Sequence, residues 1–200
     1  MDIKNCIEKA IRGESKLTND IIAIEGMSSA QNRHLLNNLG AEFDSFNYLE
    51  IGVHKGSTFV SSLFGNRVNK AWAIDNWSEF QNQYSEFEGN CYRFGIEHTL
   101  IQDNCFSVDP VLISDVNFYL YDGNHWNRET SMGLTHFYNS LADEFLYIVD
   151  DYDWEEVRLG TENGIKACNF KIKEEIILIS GVGNNADGWW NGLGIFILQK

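Results

Sequence analysis

Positive charge is what this chain has least of. Fifteen Lys and Arg face twenty-nine Asp and Glu, for a formal net charge of -14 at pH 7, and none of the fifteen forms a run. Phosphate contacts need clustered cations, so nucleic acid is not expected as a partner, and a small molecule or a basic surface fits better. Cysteine is sparse as well. Cys6, Cys91, Cys105 and Cys168 are scattered with no C-x-x-C pair, which argues against a zinc site or a disulfide framework and leaves reduced thiols. No apolar stretch reaches the length of a membrane span, and the opening residues Met1 to Glu8 lack the apolar core of a signal peptide, so a cytoplasmic protein is expected. Internal repeats and low-complexity tracts are missing too. What is present is 200 residues of 44% hydrophobic content, enough for one well-buried core, so residues 1–200 read as a single domain.

The most informative stretch runs from Tyr48 to Phe59, Tyr-Leu-Glu-Ile-Gly-Val-His-Lys-Gly-Ser-Thr-Phe. An aromatic and two aliphatics in so short a run, ended by Gly52, predict a buried strand. Gly56, Ser57 and Thr58 then supply a turn glycine and hydroxyls suited to a helix start, giving strand, glycine loop, helix. A dinucleotide loop wants three glycines spaced G-x-G-x-x-G around a pyrophosphate. Only Gly52 and Gly56 are here, and the Glu50 carboxylate would repel phosphate while favouring a ligand that carries an ammonium and a sulfonium. These features disfavour an NAD-dependent oxidoreductase.

The run Leu-Glu-Ile-Gly-Val-His-Lys-Gly-Ser-Thr resembles the first motif of the class I S-adenosylmethionine-dependent methyltransferases. In that family the loop passes under the amino-acid end of the cofactor, which implies Glu50, Gly52, Gly56, Ser57 and Thr58 as cofactor-binding residues. The implied fold is α/β and Rossmann-like, a mostly parallel seven-stranded sheet with an antiparallel last strand and a helical N-terminal cap over residues 1–45.

The remaining chain fits this order. Ile3, Ile7 and Ile11 recur at helical spacing, and Ser28 with Gln31 has the spacing of a capping box ahead of the stripe Leu35, Leu36 and Leu39. By the resemblance, Gly26-Met27-Ser28-Ser29 closes over the methionine end of the cofactor. A second strand, Lys70 to Ile74, ends at Asp75, about twenty residues past the glycine loop, where a ribose-binding acid is expected. Trp77, Phe80, Tyr84 and Phe87 are spaced along one helical face. A third strand, Thr99 to Gln102, precedes Asp103, which the resemblance places at the adenine amino group. Strands at Val116 to Tyr121 and Phe145 to Val149 flank a helix over Asn127 to Leu141. A helix from Glu155 to Phe170 and strands at Glu174 to Ser180 and Leu193 to Leu198, joined by a glycine and asparagine loop, complete the chain.

In an open parallel sheet, residues just after each strand share one rim, so Glu50, Asp75, Asp103, Asp122, Asp150 and Asp151 are expected together. Carboxylates this close raise one another's pKa unless a cation sits among them. Asp122, Asp150 and Asp151 follow neighbouring strands and suit a hard, oxygen-seeking ion such as Mg²⁺. Asp122-Gly123-Asn124-His125 with Asp150-Asp151-Tyr152 is similar to the metal-binding motifs of O-methyltransferases related to macrocin O-methyltransferase. Asn124 departs from the usual acid there. The implied reaction is methyl transfer from S-adenosylmethionine to a hydroxyl of a small molecule such as a sugar, with His125 or Asp122 as base. Tyr152, Trp154, Trp189 and Trp190 are candidates to wall the substrate side. The alternative is a catalytically silent relative that binds a cofactor or a partner protein; the apolar stripes of the cap also make a homodimer conceivable.

Overall fold

The computed structural model describes residues 1–79, 83–180 and 188–200. At its centre lies β1 (Phe46–Ile51), in which every residue but Asn47 is buried. A strand covered on both faces needs a near-continuous apolar run, and this one has it, with Glu50 as the exception. Parallel to it run β2 (Val68–Ile74) on one side and β4 (Val116–Tyr121) on the other, followed outward by β3 (Thr99–Ile101) and β5 (Leu141–Val149). The last strand, β7 (Leu193–Gln199), lies antiparallel between β5 and β6 (Lys171–Leu178) and completes the seven-stranded order β3-β2-β1-β4-β5-β7-β6. This is the expected Rossmann-like methyltransferase topology. Lys171, Lys173, Glu174 and Glu175 sit on the edge strand β6, where charge discourages pairing with another chain.

Side chains alternate across the sheet as the two-residue strand period requires. Tyr48 and Phe118 face one apolar layer, joined by Ile3 of α1 (Ile3–Ile11), Leu35, Leu36 and Leu39 of α3 (Ala30–Ala41) and Phe59 of α4 (Ser57–Leu63). Leu49, Ile51 and Tyr119 face the other, with Leu134 and Phe137 of α6 (Asn127–Phe137) and Val157 and Ile165 of α7 (Glu155–Ala167). The N-terminal cap, which also holds α2 (Asn19–Ile22), is docked by Asn37. Its Nδ2 donates to the carbonyls of Ser61 at 2.8 Å and Phe64 at 2.9 Å, where α4 ends.

Several local expectations shift. The α3 cap is Ser29, whose Oγ accepts from Asn32 N at 3.0 Å, because the Ser28 hydroxyl is held instead by Arg33. Ile11 is 59% exposed, so the isoleucine repeat buries only its N-terminal part. Trp77 lies ahead of α5 (Tyr84–Phe94), not on it, yet it still packs edge-on against Tyr84, centroids 5.5 Å apart. Phe80 and most of the glycine and asparagine loop fall outside the described residues. Strands β1, β2, β5 and β6 each begin two to four residues earlier than read, while α6 passes into a short 3-10 turn at Tyr138–Ser140.

Candidate cofactor pocket and metal centre

Sheet order reverses between β1 and β4, so their C-terminal ends diverge there and leave a crevice. Gly52 makes the close approach possible. It has φ +84°, and a Cβ on it would lie 1.9 Å from the backbone oxygen of Asp122. Gly56, at φ +85°, turns the chain into α4. The crevice is lined by Met27 and Ser28 of the cap, Gly52 and His54 of the loop, Ser57 and Thr58 of α4, and Asp122. Cap, loop and the end of β4 therefore meet in one pocket.

The expected cofactor acids divide. Glu50 is fully buried behind the pocket wall, accepting from Thr58 Oγ1 at 2.7 Å and Tyr48 Oη at 2.5 Å. Burial pushes its carboxyl up to about 8, against these two hydrogen bonds. It meets the pocket only through Thr58. Asp75 accepts from the backbone N–H of His54 at 2.9 Å and of Trp77 at 2.7 Å, so it fastens the loop while each oxygen keeps a lone pair. Asp103 is exposed at the end of β3, accepting from Asn104 N at 2.7 Å, and does not line the pocket.

The other side of the crevice carries the acids of β4 and β5. Ligand atoms of Asp122, His125 and Asp151 all lie within 4.8 Å of one another. The structure thus gathers His125 where the sequence suggested Asp150. The Asp150 carboxylate turns back to accept Asp151 N at 3.0 Å, and burial, then the charges of Asp122 and Asp151, push its pKa well above the usual range. Asp151 is held in the left-handed region at φ +54°, and its Oδ1 accepts from Asn191 Nδ2 at 2.5 Å. Nothing in the local sequence marks Asn191, which β7 brings from forty residues away.

His125 Nε2 lies 2.8 Å from Asp151 Oδ2 and 3.7 Å from Asp122 Oδ1. The contact with Asp151 is a close ion pair whose angle falls outside good hydrogen-bond geometry. Burial pulls the imidazole pKa down, but the two carboxylates outweigh it and raise it to about 10. Asp122 is raised by burial to about 6, with His125 opposing. Two carboxylate oxygens and an imidazole nitrogen, which would give up its proton on binding metal, form a donor set suited to a divalent cation.

Of the expected substrate-side aromatics, Trp154 is 49% exposed beside His125, ring centroids 5.0 Å apart. Tyr152 is buried against Phe196 and belongs to the core. Trp189 packs against the cap-side layer, and Trp190 N donates to Asn32 Oδ1 at 3.3 Å. Among the described residues no helix is long and apolar enough to cross a membrane.

No protein-family model and no curated protein matches the chain. Solved structures do. TrmN from Thermus thermophilus is 12% identical with a TM-score of 0.62, covering 90% of this chain and 52% of its own. PH1948 from Pyrococcus horikoshii, a candidate RNA methyltransferase, is 10% identical with a TM-score of 0.61, covering 100% of this chain and 96% of its own. Sp1610 from Streptococcus pneumoniae, a candidate tRNA (m1A22) methyltransferase with S-adenosyl-L-methionine bound, is 15% identical with a TM-score of 0.53, covering 80% of this chain and 70% of its own. The chain spans about half the length of TrmN and of two further matched structures.

These neighbours overturn the exclusion of nucleic acid and, with it, the restriction to a small-molecule acceptor: proteins of this architecture include RNA methyltransferases. Net charge sums over the whole surface and does not report where individual cations stand, so it was the wrong quantity to decide the question. These structures show neither a relation to the macrocin group nor magnesium. The chain has the fold of the class I S-adenosylmethionine-dependent methyltransferases.

Proposed function

We propose that this protein transfers the methyl group of S-adenosylmethionine to a hydroxyl oxygen placed at a divalent cation. The observation that carries this is the double position of Asp122, which lines the pocket beneath the glycine loop and is also one corner of the Asp122, His125 and Asp151 cluster. A ligand in the pocket and an oxygen at the cluster would be neighbours. Methyl transfer is an in-line displacement, so this adjacency is what the chemistry requires of a protein.

The residues fit both groups. The pocket offers the hydroxyls of Ser28, Ser57 and Thr58 and, facing them, an acid, a set suited to a ligand bearing both charges. Asp122, His125 and Asp151 would hold a Mg²⁺ or similar ion, whose charge lowers the pKa of a hydroxyl brought to it. With Nε2 committed to the cluster, His125 serves better as a ligand than as the base. Asp122 lies where the cluster meets the pocket, so one of its carboxylate oxygens would face the ion and the other the hydroxyl proton. Trp154 shields the cluster on its outer side. Gly52 and Gly56 shape the loop, Asp75 would accept from the ribose hydroxyls with its remaining lone pairs, and Asp103, exposed after β3, would meet the adenine end.

The test is calorimetric titration with S-adenosylhomocysteine, with and without Mg²⁺ and with NAD for comparison, followed by transfer of labelled methyl to an acceptor panel. Transfer RNA and ribosomal RNA lead that panel because of the structural neighbours. Binding of S-adenosylhomocysteine but not NAD, with Mg²⁺-dependent transfer lost in Asp122→Asn and in Asp151→Asn, supports the reading. Absence of binding defeats it, and transfer unaffected by a chelator defeats the metal.

A further inference from the structure

Arg33 is a buried cation with no anion. It is 4% exposed, and among the described residues it forms no ion pair. Its Nε donates to Ser28 Oγ at 2.9 Å, Nη1 to the carbonyls of Ile22 and Ile24 at 2.8 and 2.7 Å, and Nη2 to the Ser28 carbonyl at 3.1 Å. Four of five N–H groups are thus satisfied, one on Nη2 remains, and the acceptors are all neutral. Hydrogen bonds of that kind do not cancel a charge, and burying one unpaired is costly. Burial accordingly lowers the guanidinium pKa to about 10. An anion close by would offset the cost.

A place for that anion is the pocket lined by Ser28, the residue whose hydroxyl and carbonyl the guanidinium holds. Ser28 Oγ, fixed by Arg33, lies 3.5 Å from Ser57 Oγ, and both serines line the pocket. Gly26 keeps the arrangement tight, since a Cβ there would stand 2.1 Å from Ser57 Oγ and 3.3 Å from Arg33 Nη2. With its oxygen accepting from Arg33, Ser28 has its own hydrogen free to donate into the pocket. Asp122 lines the same pocket. The cavity is therefore polarised, cationic behind the serines and anionic at the end of β4.

We infer that Arg33, acting through Ser28 and Ser57, builds the carboxylate-binding end of the pocket and selects ligands whose amino-acid arm carries an α-carboxylate. This rests on the reading that the pocket takes S-adenosylmethionine. Arg33 is a positioning residue here, because Ser28 stands between it and the ligand.

Two ligands separate the possibilities, S-adenosylhomocysteine and its decarboxylated form, S-adenosyl-3-thiopropylamine, which keeps the ammonium and lacks only the carboxylate. Calorimetry on the whole chain should show the first binding about 30-fold more tightly than the second. In Arg33→Met that preference should collapse to about threefold, through weaker binding of S-adenosylhomocysteine with the decarboxylated ligand little changed, and Arg33→Lys should restore part of it. Should Arg33→Met unfold the cap, as a melting curve would show, Ser28→Ala and Ser57→Ala answer the same question, each narrowing the preference. A folded Arg33→Met, or both serine variants, retaining the full preference overturns the inference while S-adenosylhomocysteine binding stands. Equal affinity of the wild type for the two ligands overturns it too. Binding of neither ligand overturns the cofactor reading together with it.

Discussion

The β1–α4 loop and the β4/β5 corner face each other across one crevice and treat their carboxylates in opposite ways. On the loop side, Glu50 and Asp75 each receive two hydrogen bonds from the chain itself, from Thr58 and Tyr48 and from His54 and Trp77. On the corner side, Asp122, Asp150 and Asp151 crowd one another, with His125, Asn191 and a backbone amide as their main company. A carboxylate satisfied from within is part of the scaffold. One left among like charges is strained by them, and on the proposed reading a divalent cation would relieve that repulsion.

Breaking the crevice itself should have the largest effect. Gly52→Ala places a methyl against the Asp122 carbonyl at a positive φ, and we expect about 4 kcal/mol of lost stability or failure to fold, measured by urea denaturation. Gly56→Ala, at the same φ but with Phe87 Cδ2 as its nearest neighbour at 3.1 Å, should cost about 1–2 kcal/mol. Equal costs would show that the two sides of the crevice do not meet as described.

Next come the corner acids. Asp122→Asn or Asp151→Asn should lower Mg²⁺-dependent methyl transfer by about 100-fold or more while S-adenosylhomocysteine still binds. Without metal, each variant loses a partner of His125 together with some carboxylate repulsion, so its melting temperature should stay close to that of wild type. Saturating Mg²⁺ should raise the melting temperature of the wild type, a stabilisation of about 2.7 kcal/mol at a hundred times the dissociation constant, and leave these variants unmoved.

On the loop side, pH is the sharper probe. The Glu50 carboxyl is raised from 4.5 in the open chain to about 8 by burial. Its contribution to stability is therefore complete below pH 4.5, falls as pH rises from there to 8, and is fully lost above. A decline of a few kcal/mol across that window is expected in wild type, and Glu50→Gln should flatten it. An unchanged slope in the variant would assign the decline to the corner.

The smallest effect should come from Lys55, whose Nζ bridges Glu25 of the cap at 2.9 Å and Glu86 of α5 at 2.8 Å over the loop. Both partners are well exposed, so Lys55→Met should weaken S-adenosylhomocysteine by about threefold at most, with less effect in high salt.

How far the sequence reached can be judged at particular residues. Strand β4 came out at Val116 to Tyr121 because an apolar run between polar turns needs no tertiary information. Strand β5 was read four residues short, since Ala142, Asp143 and Glu144 extend it with little burial and leave no periodic signal. Trp77 was assigned to a helix by spacing alone, but the Asp75 carboxylate binds its N–H and turns the chain first. The order of acids along the chain was legible; which of them would be satisfied was not.

By itself, then, the sequence determined the alternation of strands and helices, the glycine loop and the placing of acids at strand ends, because hydrophobic period, turn chemistry and sheet topology are local or nearly so. Tertiary structure decided that Glu50 lies behind the wall, that His125 and not Asp150 joins Asp122 and Asp151, and that Arg33 stands charged behind Ser28. Each of these depends on where a side chain of one element finds donors on another, and such partners are brought together by packing across tens of residues.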